Sequence, residues 1–403
     1  MHKIHVVSLG IYEDDIGPRA RELIRSARFI AGGARHLDRL APVTACRIPL
    51  ARDMDQAIER IRDCLKTDDV VVLASGDALF FGIGQKLLEN FDANHLIFHS
   101  NITTVQAAFA RLGMPWNDVM TVSLHGRAFS GLRYALLRSE NRPIAVFTDS
   151  VNSPAKLALW LEENGLEDTT VFILEELGGP NERIRRMSVR EMQGQEFSPL
   201  NLVIIDARPS KPMLFPGMPE EAYAHNSGLI TKREVRTIAV SRLMPLHDQI
   251  FWDIGAGSGS IGLEASLFLP KGMVFCVEKD AQRCLMIEEN RKKYGRLNVK
   301  TIQGNAPECL ADLPDPHRIF IGGGGERLQD ILDICWQRLE IHGKLVVSVI
   351  LLQNICIAQE FFQDKNPEAI HIQISRSRAL ASSAYAKAEN PVWLFVAEKA
   401  GHS

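Results

Sequence analysis

The chain has 403 residues, 46% of them hydrophobic and 24% charged, with a formal net charge of −3. That length exceeds one ordinary domain at roughly 100–200 residues each, and the composition is that of a globular protein with full cores. The charge offers no basic field for nucleic acid or an anionic membrane, no apolar stretch approaches a bilayer span, and the apolar run in Met1–Gly10 is too short for a signal peptide.

In chain order, Ile4–Leu9 predicts a strand, and Pro18 opens a helix whose Leu23, Ile24 and Ala27 face inward. Phe29–Gly33 is a short second strand, and Met54–Leu65 is an amphipathic helix with Ile58, Ile61 and Leu65 at 3–4 spacing. Asp69–Asp77 is a buried strand that brings Ser75, Gly76 and Asp77 to its carboxyl end, and Phe80–Gly84 enters the next helix. A further strand begins at Leu96 and leads through Ile102, Thr103 and Thr104 into a helix over 105–112. Ile144–Asp149, Thr170–Glu175 and Leu202–Asp206 are buried strands, with a helix from Ser153 to Asn164 stopped at Gly165. This repeated alternation predicts an α/β fold with a mostly parallel sheet. Read alone, Ser75-Gly-Asp77 is either a turn capped by its aspartate or a ligand loop. Seven dispersed cysteines without a CxxC pair, and unclustered histidines, predict reduced thiols in a cytoplasmic protein and no metal site.

Residues 76–82, Gly-Asp-Ala-Leu-Phe-Phe-Gly, followed by Ile102-Thr-Thr104, resemble the tetrapyrrole (corrin and porphyrin) methyltransferase family. Ala31–Leu37, Val122–Arg127 and Glu175–Arg183 resemble its precorrin C5-methylating branch more narrowly. The resemblance implies two α/β subdomains with S-adenosylmethionine held folded between them by Gly76, Asp77, Phe80, Thr103 and Thr104. The chain departs from the family pattern in its long acidic loop Leu9–Pro18, where a short GxGP turn is usual, and in Ala78, where a proline is usual.

Four prolines within Ala207–Pro219 break both helix and strand and predict an interdomain linker. The expected division is therefore 1–206, a linker over 207–223, and a second domain over 224–403. Thr231 is expected to cap a helix with Glu234 as its box partner. Gln249–Glu264 then reads as a buried strand, a turn with Gly255, Gly257 and Gly259, and a helix opening near Ser260. Such a turn lets a ligand lie against bare backbone with helix amides aimed at it, or it only packs tightly. Val274–Glu278 is a second strand ending in an acid, at the place where a carboxylate accepts both hydroxyls of a ribose; as an alternative, Glu278 is a strand-end surface residue. Val299–Gln303 is a third strand, followed by Gly304-Asn305-Ala306. Asn305 either reads an adenine amino group or is an ordinary turn residue. Ile319–Ile321 runs into Gly322–Gly325, which either admits a flat substrate or is a mobile loop. Lys344–Val349 is a fifth strand, and Ala369–Ser375 with Val392–Glu398 are expected as a final antiparallel pair.

A nicotinamide-dependent dehydrogenase shares the strand–turn–helix logic, but Asp253-Ile-Gly-Ala-Gly-Ser-Gly259 fits a methyltransferase turn better. With Thr231–Arg236, Gly304–Pro307 and Ile321–Gly325, the second half resembles the decarboxylating precorrin C15-methyltransferases, on a Rossmann-like fold. The whole chain is thus similar to the fused C5,15-methylating branch. It departs from the C15 pattern at Asn305 for aspartate, at His317-Arg318, and at Leu351-Leu-Gln353 for Thr-Leu-Glu. The resemblance implies one S-adenosylmethionine site per half, the second built from Asp253, Gly255, Gly257, Gly259, Glu278, Asn305 and Ala306. It implies a precorrin substrate near Thr231, Lys232, Gly322, Gly323 and Gly324, with Lys232, Arg233 and Arg35 as candidate partners for its acid groups. Methylation at C5 and C15 with loss of the C12 acetate carboxylate is the implied reaction, and a homo-oligomer through the second domain the implied assembly. A non-catalytic tetrapyrrole carrier is the remaining alternative.

Overall fold

The computed structural model describes residues 2–12, 15–39, 44–50, 54–226 and 230–401. Glu13 and Asp14 of the acidic loop lie outside the described residues. The chain forms two compact units, one built mainly from residues up to Arg208 and the other mainly from Pro209 onward.

The first unit opens with β1 (Ile4–Ser8), α1 (Pro18–Ser26), β2 (Phe29–Gly32), α2 (Ala34–Arg39), β3 (Cys46–Pro49), α3 (Met54–Cys64), β4 (Val70–Ala74), α4 (Gly84–Asn90) and β5 (Leu96–His99). These strands form one sheet in the order β3-β2-β4-β1-β5, with every pair parallel. β4 is buried at all five positions, as a parallel strand covered on both faces requires. In α3, Ala57, Ile58 and Ile61 are buried. They pack with Ile4, Val70 and Val72 in one core layer. β1 lies between β4 and β5, so the chain reverses its winding direction there and leaves a crevice at the carboxyl ends of β1 and β4.

A second sheet follows, from α5 (Thr104–Leu112), β6 (Met120–Ser123), α6 (Ser130–Arg138), β7 (Ile144–Phe147), α7 (Pro154–Glu163), β8 (Thr170–Glu175), β9 (Arg183–Ser188) and β10 (Asn201–Ala207). Its order is β6-β7-β10-β8-β9. Only β6 and β7 run parallel; β10 is antiparallel to β7 and β8, and β8 to β9. The two α/β subdomains implied by the resemblance thus form, one on a parallel sheet and one on a mixed sheet, where alternation alone predicted a mostly parallel one. β9 escapes a sequence reading because Arg-Ile-Arg-Arg-Met-Ser has no apolar alternation and none of its residues is fully buried.

The second unit contains α8 (Arg233–Leu243), β11 (Ile250–Ile254), α9 (Ser260–Ala265), β12 (Met273–Glu278), α10 (Ala281–Lys293), β13 (Val299–Gln303), β14 (Arg318–Ile321), α11 (Leu328–Arg338), β15 (Lys344–Val349), α12 (Leu352–Phe362), β16 (Glu368–Ile372), β17 (Ser375–Leu380), β18 (Ser383–Ala388) and β19 (Val392–Glu398). Seven strands form a sheet in the order β13-β12-β11-β14-β15-β19-β16. The first five are parallel, and β19 runs antiparallel to both β15 and β16. Alternate residues of β11 feed opposite layers: Phe251 packs with Val274, Phe320 and Val346, while Trp252 and Ile254 pack with Ile319, Leu345 and Leu332. The expected final pair thus forms as β16 with β19. β17 and β18 make a separate two-stranded ribbon, exposed at nearly every residue.

Two local expectations differ from what the structure shows. The proline-rich stretch, expected as a linker over 207–223, packs in part with the second unit, since Leu214, Met218 and Tyr223 are buried in its core. Prolines exclude regular hydrogen bonding there but leave the apolar side chains between them able to pack. The Thr231/Glu234 capping box does not form. Lys232 occupies the cap position of α8 without a side-chain bond, the amide of Arg233 donates to Glu220 Oε1 at 2.8 Å, and Glu234 instead accepts from Arg376 Nη2 at 2.7 Å.

Candidate active sites

In the second unit the turn after β11 carries Gly255, Gly257 and Gly259 with φ of +69°, +60° and +74°, a region that costs an L-residue with a side chain about 1–2 kcal/mol. At Gly255 a Cβ would also stand 3.2 Å from the carbonyl oxygen of Gly323. The glycine thus permits the turn after β11 to lie directly against the run after β14. The Gly255 and Ala256 amides donate to the Val277 carbonyl at 2.9 and 3.0 Å, which ties the turn to β12.

Glu278, at the end of β12, is the anchor of this region. Its Oε2 accepts from the Gly257 amide at 2.9 Å, and its Oε1 from the amides of Lys279 and Asp280 at 3.0 and 3.1 Å. Three backbone donors hold the carboxylate in place, and Oε2, which takes only one of them, keeps a lone pair for a further donor. A cleft of about 1190 Å³ opens beside it. Gly255, Glu278, Asn305, Ala306, Gly322, Gly323 and Gly324 all line this cleft, together with Lys279, Arg283, Glu308, Cys309 and Arg327. The sequence reading missed these last five, although proximity in sequence to Glu278, to Asn305 or to Gly325 marked each position. Arg327 Nη1 pairs with Glu308 across the cleft mouth at 2.7 Å, and Arg327 Nη2 pairs with Asp330 at 3.3 Å.

Asp253 stands apart from the cleft. It is 1% exposed, and its Oδ2 accepts from the Gly262 amide at 2.8 Å, which pins the first turn of α9. Burial is the main reason its carboxyl is pushed up to about 7; the nearby Glu278 charge adds to this, while the Gly262 amide and Cys276 oppose it. An unfolded aspartate titrates near ~3.9, so between about pH 4 and pH 7 the native state holds a proton that the unfolded chain lacks. This contribution is therefore complete at acid pH and is lost as pH rises through 7. Asp253→Asn is expected to gain stability relative to wild type as pH rises from 4.5 to 8, by up to about 3 kcal/mol. Urea unfolding of both proteins across that range checks it, and a pH-independent difference would refute it. Gly257, Gly259, Thr231 and Lys232 do not border the cleft among the described residues. The first two shape the turn, while Thr231 and Lys232 are half-buried and lead into α8.

The first unit has its own cleft, of about 870 Å³. Gly10 and Gly76, beyond β1 and β4, exchange amide–carbonyl bonds of 3.2 Å in both directions. Gly76 has φ +53°, and its Cα face lies near the start of α5, where a Cβ would be 3.7 Å from the Thr104 amide. Gly76, Thr104 and Arg35 line the cleft with Tyr12, His36, Ser75, Glu176 and Asn201. Asp77, Phe80 and Thr103 are not among the described residues that line it. Asp77 accepts from the amides of Leu79 and Asn101 at 2.9 and 3.3 Å, and Phe80 packs on Val105, Phe109 and Leu174. Thr103 caps α5, sharing reciprocal bonds of 3.1 and 2.9 Å with Gln106. At Ala78, where a proline is usual, the amide donates to Ser8 Oγ at 2.9 Å, a bond that proline lacks the hydrogen to make. His36 Nε2 and Ser75 Oγ lie 2.6 Å apart in a hydrogen bond.

No group of three or more histidine, cysteine, aspartate or glutamate residues suited to a metal is found among the described residues, and no described helix is long and apolar enough to cross a membrane.

Residues 3–193 match the family model for tetrapyrrole (corrin/porphyrin) methylases, and residues 221–399 match that for the precorrin methyltransferase domain. The chain is 31% identical over 400 residues to a precorrin-6Y C(5,15)-methyltransferase (decarboxylating) from Sinorhizobium sp, covering 95% of this chain and 94% of the relative. It is 32% identical over 191 residues to a probable cobalt-precorrin-6B C(15)-methyltransferase (decarboxylating) from Pyrobaculum calidifontis, covering 46% of this chain and 97% of that one. The crystal structure of precorrin-6y C5,15-methyltransferase from Geobacter metallireducens is 37% identical, covering 45% of this chain and 98% of its own, with a TM-score of 0.44. Two methylase-type units in one chain, matched end to end by a relative of the same organisation, place this protein in the precorrin-6Y C(5,15)-methyltransferase (decarboxylating) family.

Proposed function

We propose that this chain methylates a precorrin at C5 and C15 with S-adenosylmethionine and removes the C12 acetate carboxylate, using one donor site in each unit. The observation that carries the two-site reading is the presence of a separate glycine-bordered cleft at the reversal point of each parallel sheet. The bound donor supplies a methyl group on a sulfonium, already activated for transfer. The protein's task is then to hold, align and exclude water.

In the second unit Glu278 would accept the ribose hydroxyls and Asn305 with Ala306 would meet the adenine. Gly255, Gly257 and Gly259 would give backbone room for the methionine portion, with Asp253 fixing the helix behind them. Bare backbone at Gly322, Gly323 and Gly324 suits the approach of a flat macrocycle, and Thr231 and Lys232 are its further candidate contacts. In the first unit Gly76 and Thr104 would touch the donor, with Asp77, Phe80 and Thr103 holding them in shape. We assign these activities to residues 1–206 and 224–403, with 207–223 joining them; the family matches over 3–193 and 221–399 support that division. A cytoplasmic setting is supported by seven free cysteines. Association through the second unit is supported by the β17–β18 ribbon, because an isolated two-stranded ribbon is marginal in water.

Isothermal titration of the full chain with S-adenosylmethionine is expected to give two donors bound per chain. Labelled donor with a precorrin is expected to place methyl groups at both C5 and C15 with release of carbon dioxide. One donor per chain, or label at one carbon only, would remove a site from this reading.

A further inference from the structure

We propose that His36 is the base that takes the proton released when C5 of the macrocycle is methylated in the cleft of the first unit, an inference that rests on the functional reading above. A meso carbon that carries one hydrogen and stays in the conjugated system after methylation must lose that hydrogen. C5 gains its bond to the methyl carbon as the donor's sulfur–carbon bond breaks. Its C–H bond then breaks, the electron pair returns to the ring, and the proton passes to Ser75 Oγ, whose own proton moves to His36 Nε2 and on to solvent. The step leaves S-adenosylhomocysteine and needs no oxidant or reductant.

Position selects His36 for this step. It stands on α2 and lines the cleft with Arg35, Tyr12 and Gly10. Its Nε2 shares a 2.6 Å hydrogen bond with Ser75 Oγ, the residue immediately before Gly76, so the ring is tied to the loop proposed to carry the donor. The other proton-exchanging groups that border the cleft suit the task less well. The Arg35 guanidinium carries donors only, and Glu176 is tied to Ser198 rather than to the loop that carries Gly76. An imidazole both takes a proton and releases it near neutral pH.

The test uses the full-length chain and its His36→Gln variant, with donor binding measured calorimetrically and C5 and C15 methylation followed separately in single turnovers. His36→Gln is expected to bind donor in the first unit within about twofold of wild type, while C5 transfer falls by about 10²–10⁴-fold. Transfer to C15 should be unchanged and serves as the internal control. The wild-type C5 rate should fall toward acid pH, where an imidazole carries its proton and cannot accept another, and the variant should lack that limb. Free imidazole should restore part of the rate to His36→Ala. Ser75→Ala, which leaves the ring in place but unanchored, should lose about tenfold, and it keeps the idea testable if the His36 variants fail to fold. A C5 rate within threefold of wild type in His36→Gln overturns the assignment, as does a loss that merely tracks weaker donor binding. Loss in Glu176→Gln with His36→Gln unaffected overturns it in favour of the carboxylate. A wild-type chain that binds donor but never methylates a precorrin at C5 defeats the functional reading itself, and the assignment of a base falls with it.

Discussion

Replacing Arg236 by methionine is expected to destabilise the second unit by about 3–5 kcal/mol, because it strands a buried carboxylate. Arg236 and Glu264 are both 0% exposed, with Nε to Oε1 at 2.9 Å. The two Nη groups donate to the carbonyls of Thr231 and Met218, and the guanidinium stands 5.1 Å from the Tyr223 ring centroid. Glu264 accepts further bonds from the Gly217 amide at 2.9 Å and the Tyr223 hydroxyl at 3.0 Å. Burial and the Glu264 charge together hold the Tyr223 phenol in its protonated, donating form. The pair is therefore fully hydrogen-bonded, and its cost of desolvation is offset only while both charges are present. Glu264→Gln should also destabilise, though less, since the amide still accepts one bond while Arg236 loses its counter-charge. The double replacement Arg236→Met with Glu264→Leu should recover most of the loss, because no unpaired charge remains. Urea unfolding monitored by fluorescence measures all three, and a single-variant loss below about 1 kcal/mol would contradict the argument. Because the pair joins 217–223 and the entry to α8 with the helix that leaves the glycine turn, Arg236→Met should weaken donor binding in that unit as well.

Glu278→Ala is expected to turn a two-donor chain into a one-donor chain. The carboxylate is 4% exposed and orders the amides of Gly257, Lys279 and Asp280 on one wall of the cleft. Loss of the acceptor removes charged hydrogen bonds worth about 1.5–3 kcal/mol each, or roughly 10–100-fold in affinity for the first one lost. It also frees three backbone donors that shape the turn. Glu278→Gln should lose less, since the amide retains one acceptor oxygen. Calorimetry should show the affinity of the first unit unchanged, and turnover should show C5 methylation retained while C15 methylation stops. Equal weakening of both sites, or of neither, would show that Glu278 does not serve a donor site confined to its own unit.

Much of this arrangement was legible before any coordinates. Val70–Ala74 and Ile250–Ile254 announce themselves because a strand covered on both faces must be almost wholly apolar. Gly255 and Gly76 do so because a left-handed turn after such a strand has few other occupants. Glu278, Asn305, Ala306 and Gly322–Gly324 were placed by their position at strand ends, and strand ends converge on one edge of a parallel sheet. The strands that went unseen were β3 and β6, four residues long with one buried position each, β9, which is too charged to show a period, and the exposed β17–β18 ribbon, which has no buried face to impose one. Asp253 and Asp77 are donor-site candidates through the resemblance, yet a motif does not say which way a side chain points. In a strand, successive residues face opposite layers, and Asp253 faces into α9 rather than the cleft.

By itself, then, the amino-acid order determined the class of fold, the two-part organisation and the strand ends that border the two clefts, since each follows from short-range periodicity and turn chemistry. Only the tertiary structure decided which groups meet. It paired Arg236 with Glu264 across 28 positions, set His36 beside Ser75 across 39, and closed Arg327 onto Glu308 across 19. Contacts at such separations depend on how sheets and helices pack, and local sequence carries no period that records them.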